Sequence, residues 1–157
     1  MQKTHGFTLL ETLIALVVLS VGMLGIASLH VEGLRNGRTA TLRTKALTLA
    51  TDMAEKMRAN RLGAQSGNYV STAGDMGNNN NCADDADGVP TVACTPALMA
   101  AHDIWLWKQS LLNAQTGLPG TPTALIASDG ATPPTLTITL NWRENGVADT
   151  VSLLVQP

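Results

Sequence analysis

The feature that most constrains this chain is an apolar segment near its N-terminus, which reads FTLLETLIALVVLSVGMLGIASLHV from Phe7 to Val31. Glu11 is the only acidic residue in it, and the stretch from Thr12 to Leu29 has 18 residues without a charge. A helix of about 20 apolar residues spans the hydrocarbon core of a bilayer. The segment is therefore predicted to be a membrane-spanning helix, and a uniformly water-soluble enzyme is not expected.

The composition of the whole chain points the same way. The chain has 157 residues, of which 45% are hydrophobic and 14% are charged, whereas soluble domains have about 25% charged residues. The net charge of −2 gives no basic field for nucleic acid. The sequence shows no pairing of a nucleophile with a base, no phosphate-binding glycine loop and no cluster of metal ligands. No enzyme activity and no cofactor are therefore expected.

A secretory signal peptide is the main alternative interpretation of the apolar segment, with residues 1–6 as its charged region and Gly25-Ile26-Ala27 as its cleavage site. The apolar run is longer than an ordinary signal peptide has, and no polar region precedes the supposed cut. It also contains Glu11, a carboxylate that costs free energy in a membrane unless it is paired or reaches the interface. Glu11 is therefore a functional hypothesis.

The residues Gly6-Phe7-Thr8-Leu9-Leu10-Glu11, which begin at the end of a short polar leader, resemble the class III signal of type IV prepilins and type II secretion pseudopilins. The resemblance implies that a prepilin peptidase removes the leader, residues 1–6, by cutting between Gly6 and Phe7, and that it then N-methylates Phe7. It implies that residues 7–31 form the transmembrane and filament-core half of a long helix. Glu11 would then make an assembly contact with the N-terminal amine of a neighbouring subunit.

Two further stretches resemble minor pilins of the PilV type. One is GMLGIASLH, in which His30 replaces the glutamine of that pattern, and the other is Asp103-x-x-x-Trp107-x-x-x-Leu111. The resemblance implies a structural protein that joins other minor pilins in a complex that primes the pilus tip. The partners implied are the prepilin peptidase, other minor and major pilins, the inner-membrane assembly machinery, membrane lipid and a tip adhesin, but no nucleic acid. A type II secretion pseudopilin and a membrane-tethered periplasmic binding module remain as alternatives.

The location of the C-terminal part, residues 32–157, follows from two opposing signals. Basic residues are more frequent after the apolar segment than before it, where only Lys3 stands, and by the positive-inside rule this would place the C-terminal part in the cytoplasm. The prepilin resemblance implies the opposite: a single-pass inner-membrane protein with a periplasmic head that later reaches the cell surface.

Cys82 and Cys94 are the only cysteines, and in an oxidising periplasm they are expected to form a disulfide. A metal site would need more ligands.

The predicted long helix continues beyond the membrane, because no proline occurs before Pro90. It is expected to cover residues 7–62, with Gly63 as its C-cap. Asp52 with Lys56 and Glu55 with Arg58 are predicted surface ion pairs. One apolar stripe with helical spacing is expected to pack on the head, and it consists of Leu42, Ala46, Leu49, Met53 and Met57.

The rest of the head is predicted to be an antiparallel sheet with a second, short helix, which makes the fold class α+β. Residues 64–90, rich in Gly, Ser and Asn, read as a loop, and Thr95-Pro96 reads as a helix start. The apolar residues Leu98, Trp105 and Leu112 of that helix are spaced seven residues apart, with Trp107 and Leu111 nearby. The tryptophans of the helix are interpreted as packing residues. Residues 136–142 alternate in polarity before Asn145-Gly146, which predicts a hairpin that pairs Leu136 with Val155. Residues 124–127 are a candidate third strand.

Overall fold

The computed structural model describes residues 8–82, 93–115 and 117–157. The chain divides into two compact units, Met1–Ala40 and Thr41–Pro157. The elements are α1 (Leu9–Ala59), α2 (Arg61–Gln65), α3 (Pro96–Leu112), β1 (Thr123–Ser128), β2 (Leu136–Glu144) and β3 (Val147–Val155). The leader, residues 1–6, and the predicted cleavage and methylation residues Gly6 and Phe7 lie outside the described residues.

Helix α1 ends three residues earlier than the sequence predicted. The backbone of Asn60 is not helical, with φ −107° and ψ 60°. Asn60 is the N-cap of α2, because its side-chain oxygen accepts a hydrogen bond from the Gly63 N–H. The prediction that Gly63 caps the long helix was wrong, because Gly63 lies inside α2 and is buried. A Cβ there would stand 2.9 Å from the Pro96 carbonyl oxygen, so glycine is needed for close packing.

The apolar stripe on the C-terminal part of α1 is confirmed. Leu42, Ala46, Met53 and Met57 are buried, and Leu49 packs half-buried against the same core. Ala50 and Ala54 are buried as well. Because these positions recur at helical spacing, one face of the helix enters the core and the others remain outside.

The start of α3 is confirmed, but the predicted apolar face of this helix was partly wrong. Thr95 is the N-cap, and its side-chain oxygen accepts a hydrogen bond from the Leu98 N–H at 3.3 Å. Leu98 and Leu112 are 42% and 49% exposed, whereas Trp107 and Leu111 are buried. At 100° per residue, Leu98 lies about 180° from Trp107, and Leu112 lies about 100° from Leu111. The buried face also contains Ala100 and Ile104.

The sheet is a three-stranded antiparallel meander in the order β1-β2-β3. The hairpin register is confirmed, since Leu136 pairs with Val155 and Glu144 pairs with Val147. Asn145 and Gly146 have φ values of 50° and 84°, which suits the tight turn that matches the twist of the strands. The third strand is confirmed as β1, which pairs with β2.

The core lies between the inner face of the sheet, the buried stripe of α1 and the buried face of α3. The Trp107 indole N–H donates a hydrogen bond of 2.8 Å to the Leu49 carbonyl oxygen, which joins α3 to α1. The predicted α+β fold is therefore confirmed. The inner face of the sheet consists of Leu136, Ile138, Leu140 and Trp142 on β2, with Ala124 and Ile126 on β1.

An ion pair at the protein surface links α1 to the edge strand β3. The Arg43 guanidinium donates two hydrogen bonds to the Asp149 carboxylate, at 3.0 and 3.2 Å. The hydrogen bond to Arg43 lowers the pKa of Asp149, and the same contact raises the pKa of Arg43. A carboxyl group with a lowered pKa in the folded state stabilises the fold at neutral pH and loses that contribution as the pH falls through the lowered pKa.

A buried polar network joins α1, the segment after α2 and α3. The Tyr69 hydroxyl donates to Asp103 Oδ2 at 2.5 Å, and it accepts a hydrogen bond from Asn60 Nδ2 at 3.2 Å. The other oxygen of Asp103 lies 3.5 Å from Lys56 Nζ. Lys56 therefore pairs with Asp103 and not with Asp52 as the sequence predicted, while the predicted pair of Arg58 with Glu55 is present. Burial, and then the bond to Asp103, raises the pKa of Tyr69, so the hydroxyl remains a donor.

Replacing Met53 by alanine should destabilise the head. Met53 is fully buried, and truncation of such a side chain removes apolar contacts and leaves a cavity, at a cost of about 2–5 kcal/mol. Leu47→Ala is the matched control on the same helix, because Leu47 is 48% exposed. Denaturant unfolding of the full chain in detergent, followed by tryptophan fluorescence, measures both. Equal losses of stability would contradict the packing described here.

Replacing Tyr69 by phenylalanine should lower the free energy of unfolding by about 1–3 kcal/mol, because the buried Asp103 carboxylate loses a donor. Arg58→Ala serves as the control, since its ion pair with Glu55 is exposed and such pairs contribute about 1 kcal/mol or less. The same unfolding assay measures both variants. A Tyr69→Phe protein as stable as the parent would show that the Tyr69 hydroxyl contributes nothing to stability.

Candidate functional site

The helix α1 begins at a capped first turn that contains Glu11. The Glu11 N–H donates to the Thr8 side-chain oxygen at 3.3 Å and to the Thr8 carbonyl oxygen at 3.1 Å, and the latter also accepts from the Thr12 N–H at 3.3 Å. A threonine N-cap satisfies N–H groups that have no partner inside a helix. The negative charge of Glu11 lies in the first turn, where the helix dipole stabilises it.

The apolar side chains that follow are exposed all around the helix. The large hydrophobic residues from Leu9 to Leu34 are between 52% and 85% exposed. Among the residues that the structure describes, α1 is the one helix long and apolar enough to cross a membrane, and none of its apolar window is buried. An apolar surface of this extent is unfavourable in water and is stabilised by contact with another apolar environment, such as the hydrocarbon core of a membrane.

Two hydroxyl groups of this segment are satisfied within the helix. Thr12 Oγ1 donates to the Leu9 carbonyl oxygen and Ser20 Oγ donates to the Val17 carbonyl oxygen, both at 2.8 Å. Such back-bonding leaves methyl and methylene groups on the helix surface. Glu11 is the only Asp, Glu, Lys or Arg residue between Leu9 and Val31.

The glycines of this segment are not required by packing within the chain. A Cβ added at Gly22 or Gly25 would meet no atom within 4 Å. Small residues on a membrane helix let a second helix approach closely, but glycine is also common in membrane helices without such a contact.

The remaining predicted site residues lie in the head. Cys82 and Cys94 form a disulfide with their Cα atoms 5.7 Å apart, and Cys82 is buried. Within residues 8–82, 93–115 and 117–157, no three His, Cys, Asp or Glu side chains converge as metal ligands. Lys56, Met99 and Asp103 line an open cleft of about 280 Å³, and the Asp103 carboxylate there is already engaged by Lys56 and Tyr69.

Two arrangements were not predicted from the sequence. The role of Thr8 could have been found, because Thr8-x-x-Glu11 matches the pattern of a capping box. The contact of Tyr69 with Asp103 could not, because the two residues are 34 positions apart and no local pattern relates them. The site predicted from the sequence is therefore a helix surface with one carboxylate at its end, and the structure adds the cap that holds this end.

Comparison with protein families gives two adjoining matches. Residues 1–27 match the prokaryotic N-terminal methylation motif, which contains the predicted cleavage residues and Glu11. Residues 28–105 match the family described as type IV pilin Tt1218. Comparison with curated proteins and with solved structures found no significant match. Together with the fold, the two family matches support a type IV pilin that carries the prepilin N-terminal methylation motif.

Proposed function

We propose that the chain is a minor pilin of the PilV type, which a prepilin peptidase processes and which joins a complex of minor pilins that primes assembly at the pilus tip. The observation that carries this proposal is the exposed apolar half of α1 with Glu11 as its one charge. The pilin family match supports the general class. The resemblance of GMLGIASLH and of Asp103-x-x-x-Trp107-x-x-x-Leu111 to PilV-type proteins supports the subclass.

The proposed processing changes the charge at the start of the helix. Hydrolysis of the bond between Gly6 and Phe7 leaves a carboxylate on the leader and an amine on Phe7, and the same peptidase methylates this amine. Lys3 leaves with the leader. The helix end then carries one cationic amine at Phe7 and one carboxylate at Glu11.

The proposed assembly contact joins Glu11 of one subunit to the Phe7 amine of a neighbour. In a low-dielectric helix bundle, either charge alone costs several kcal/mol, about the order found for an unpaired buried ion. Pairing removes that cost only when the two helices stand at one axial offset. The contact therefore selects the register of subunits, whereas the surrounding apolar surface tolerates many registers.

The proposed location is the inner membrane, with a periplasmic head and later exposure on the pilus. We divide the chain into the leader (residues 1–6), the transmembrane half of the helix (7–31) and the head with the amphipathic half of the helix (32–157). The disulfide of Cys82 with Cys94 supports an oxidising compartment for the head. The partners proposed are membrane lipid, the assembly machinery of the inner membrane, other minor and major pilins and a tip adhesin.

A type II secretion pseudopilin would share the fold and the processing, and its genes would lie beside secretion genes and not beside minor pilin genes. A membrane-tethered binding module would share the head but would never enter filaments. Recovery of the mature chain from sheared pili would exclude the membrane-tethered binding module.

Mass spectrometry of the native N-terminus tests the proposed processing. In cells with an active prepilin peptidase, the chain should begin at a methylated Phe7, and in cells without it the chain should begin at Met1. In the strain with an active peptidase, Gly6→Leu should also leave the chain beginning at Met1, because the resemblance places Gly6 immediately before the cut. A native chain that begins at Met1 despite an active peptidase would contradict the proposal.

Glu11→Ala should leave cleavage intact and strongly reduce the amount of the chain in sheared pili, because the neighbour's amine loses its counter-charge. Glu11→Gln should behave in the same way, since it keeps the shape of the side chain and removes its charge. Glu32→Ala is the matched control at the other end of the apolar segment. Quantitative immunoblotting of pilus and membrane fractions measures incorporation. Incorporation of Glu11→Ala at the level of Glu32→Ala would refute the assembly contact.

A further inference from the structure

A short segment of the head lies against α3 and is attached to it at several points. We define residues 77–82 as the strap. Gly77 has φ +63°, and a Cβ on it would stand 2.4 Å from the Ala101 carbonyl oxygen and 2.6 Å from the Trp105 backbone nitrogen. The Asn78 N–H donates a hydrogen bond of 3.0 Å to the same Ala101 carbonyl oxygen. The strap therefore lies directly on the backbone of α3.

The next attachment of the strap depends on a histidine. The Asn80 N–H donates to His102 Nδ1 at 3.3 Å, and Asn80 Nδ2 donates to the Leu98 carbonyl oxygen at 3.0 Å. His102 is 3% exposed, and its ring stacks on Trp105 with 5.9 Å between the centroids. Nδ1 can accept a hydrogen bond only while it carries no proton, so this attachment requires the neutral imidazole with its proton on Nε2.

We propose that the strap is a pH-sensitive latch of the pilin head, which is closed while His102 is neutral and opens when His102 takes up a proton. A proton on Nδ1 places two N–H donors face to face, and the Asn80 N–H loses its acceptor. The closed strap excludes this proton and the open strap does not, so acid shifts the equilibrium towards the open strap. Histidine is the side chain that normally changes charge between about pH 5 and pH 8.

Among the residues that the structure describes, the charged groups of Asp103, Lys108 and Asp75 have other partners. On α3, Asp103 is engaged by Tyr69 and by Lys56 of α1, and Lys108 Nζ donates to the Thr72 carbonyl oxygen at 2.6 Å. Just before the strap, the Asp75 carboxylate accepts from the Gly77 N–H at 3.0 Å. Arg61 on α2 is exposed and β1 has no charged residue. None of these described groups forms an ion pair with the His102 ring. No such pair would therefore hold the strap closed after protonation.

The disulfide limits how far the strap can move. Cys82 is the last residue of the strap and is bonded to Cys94, just before α3 begins. An open strap would therefore leave the backbone of α3 at Ala101 and Trp105 while its end stays attached beside the start of α3. The consequence is a reversible change in the surface of the head, and it does not depend on the proposed pilus function.

Hydrogen exchange of the full chain in detergent micelles, resolved by NMR, tests the latch. The protection factors of the Asn78 and Asn80 amides, corrected for the intrinsic effect of pH, should fall about tenfold or more between about pH 7.5 and about pH 5. In His102→Asn they should stay constant, because the side-chain oxygen can replace Nδ1 as acceptor and does not titrate. His102→Gln serves if His102→Asn does not fold. His30→Asn is the matched control and should behave like the parent chain.

Three outcomes would overturn the latch. Protection of Asn80 that is equal at both pH values in the parent chain would show that the strap does not respond to acid. An equal fall in His102→Asn would assign the response to another group. A parallel fall at Ile138, a buried residue of β2, would show global unfolding of the head and no local opening.

Discussion

The structure depends on the apolar surface of α1 from Leu9 to Leu34. The other described residues of the same compact unit, Met1–Ala40, do not bury this surface. Each square ångström of apolar surface moved out of water contributes about 25 cal/mol, so the side chains from Leu9 to Leu34 strongly favour lipid or a bundle of helices over water. Both environments are equally apolar, and the hydrophobic effect therefore discriminates little between them. The proposed contact of Glu11 with the Phe7 amine of a neighbouring subunit would favour the helix bundle over lipid.

The head depends on apolar packing together with directional hydrogen bonds. Its core is small, with one sheet face packed against α1 and α3, and apolar packing of this kind permits some sliding of a helix. Trp107 and Asp103 remove this freedom, because each makes a directional hydrogen bond, to Leu49 and to Tyr69 respectively. An unpaired partner would be costly. The network therefore holds the helices in one arrangement.

Local chemistry made much of the fold predictable. Asn145-Gly146 specifies a turn with two positive φ values, and this turn together with the alternating pattern leaves one register for the hairpin. Thr95-Pro96 specifies a helix start through its own hydrogen bond. The predictions failed where a distant contact decided the outcome. Asn60 ends α1 and bonds to the Pro96 carbonyl oxygen, and Lys56 turns to Asp103 across the core.

The order of residues alone determined the apolar helix, its single charge at Glu11 and the strand pairing, because each follows from spacing within a few residues. Tertiary structure decided which face of α3 is buried, since Leu98 and Ile104 are equally apolar and only the position of the sheet and α1 favours Ile104. It also decided that His102 lies under the strap. No local pattern around His102 predicts this contact, because the fold alone brings the Asn80 N–H, 22 positions away, to 3.3 Å from Nδ1.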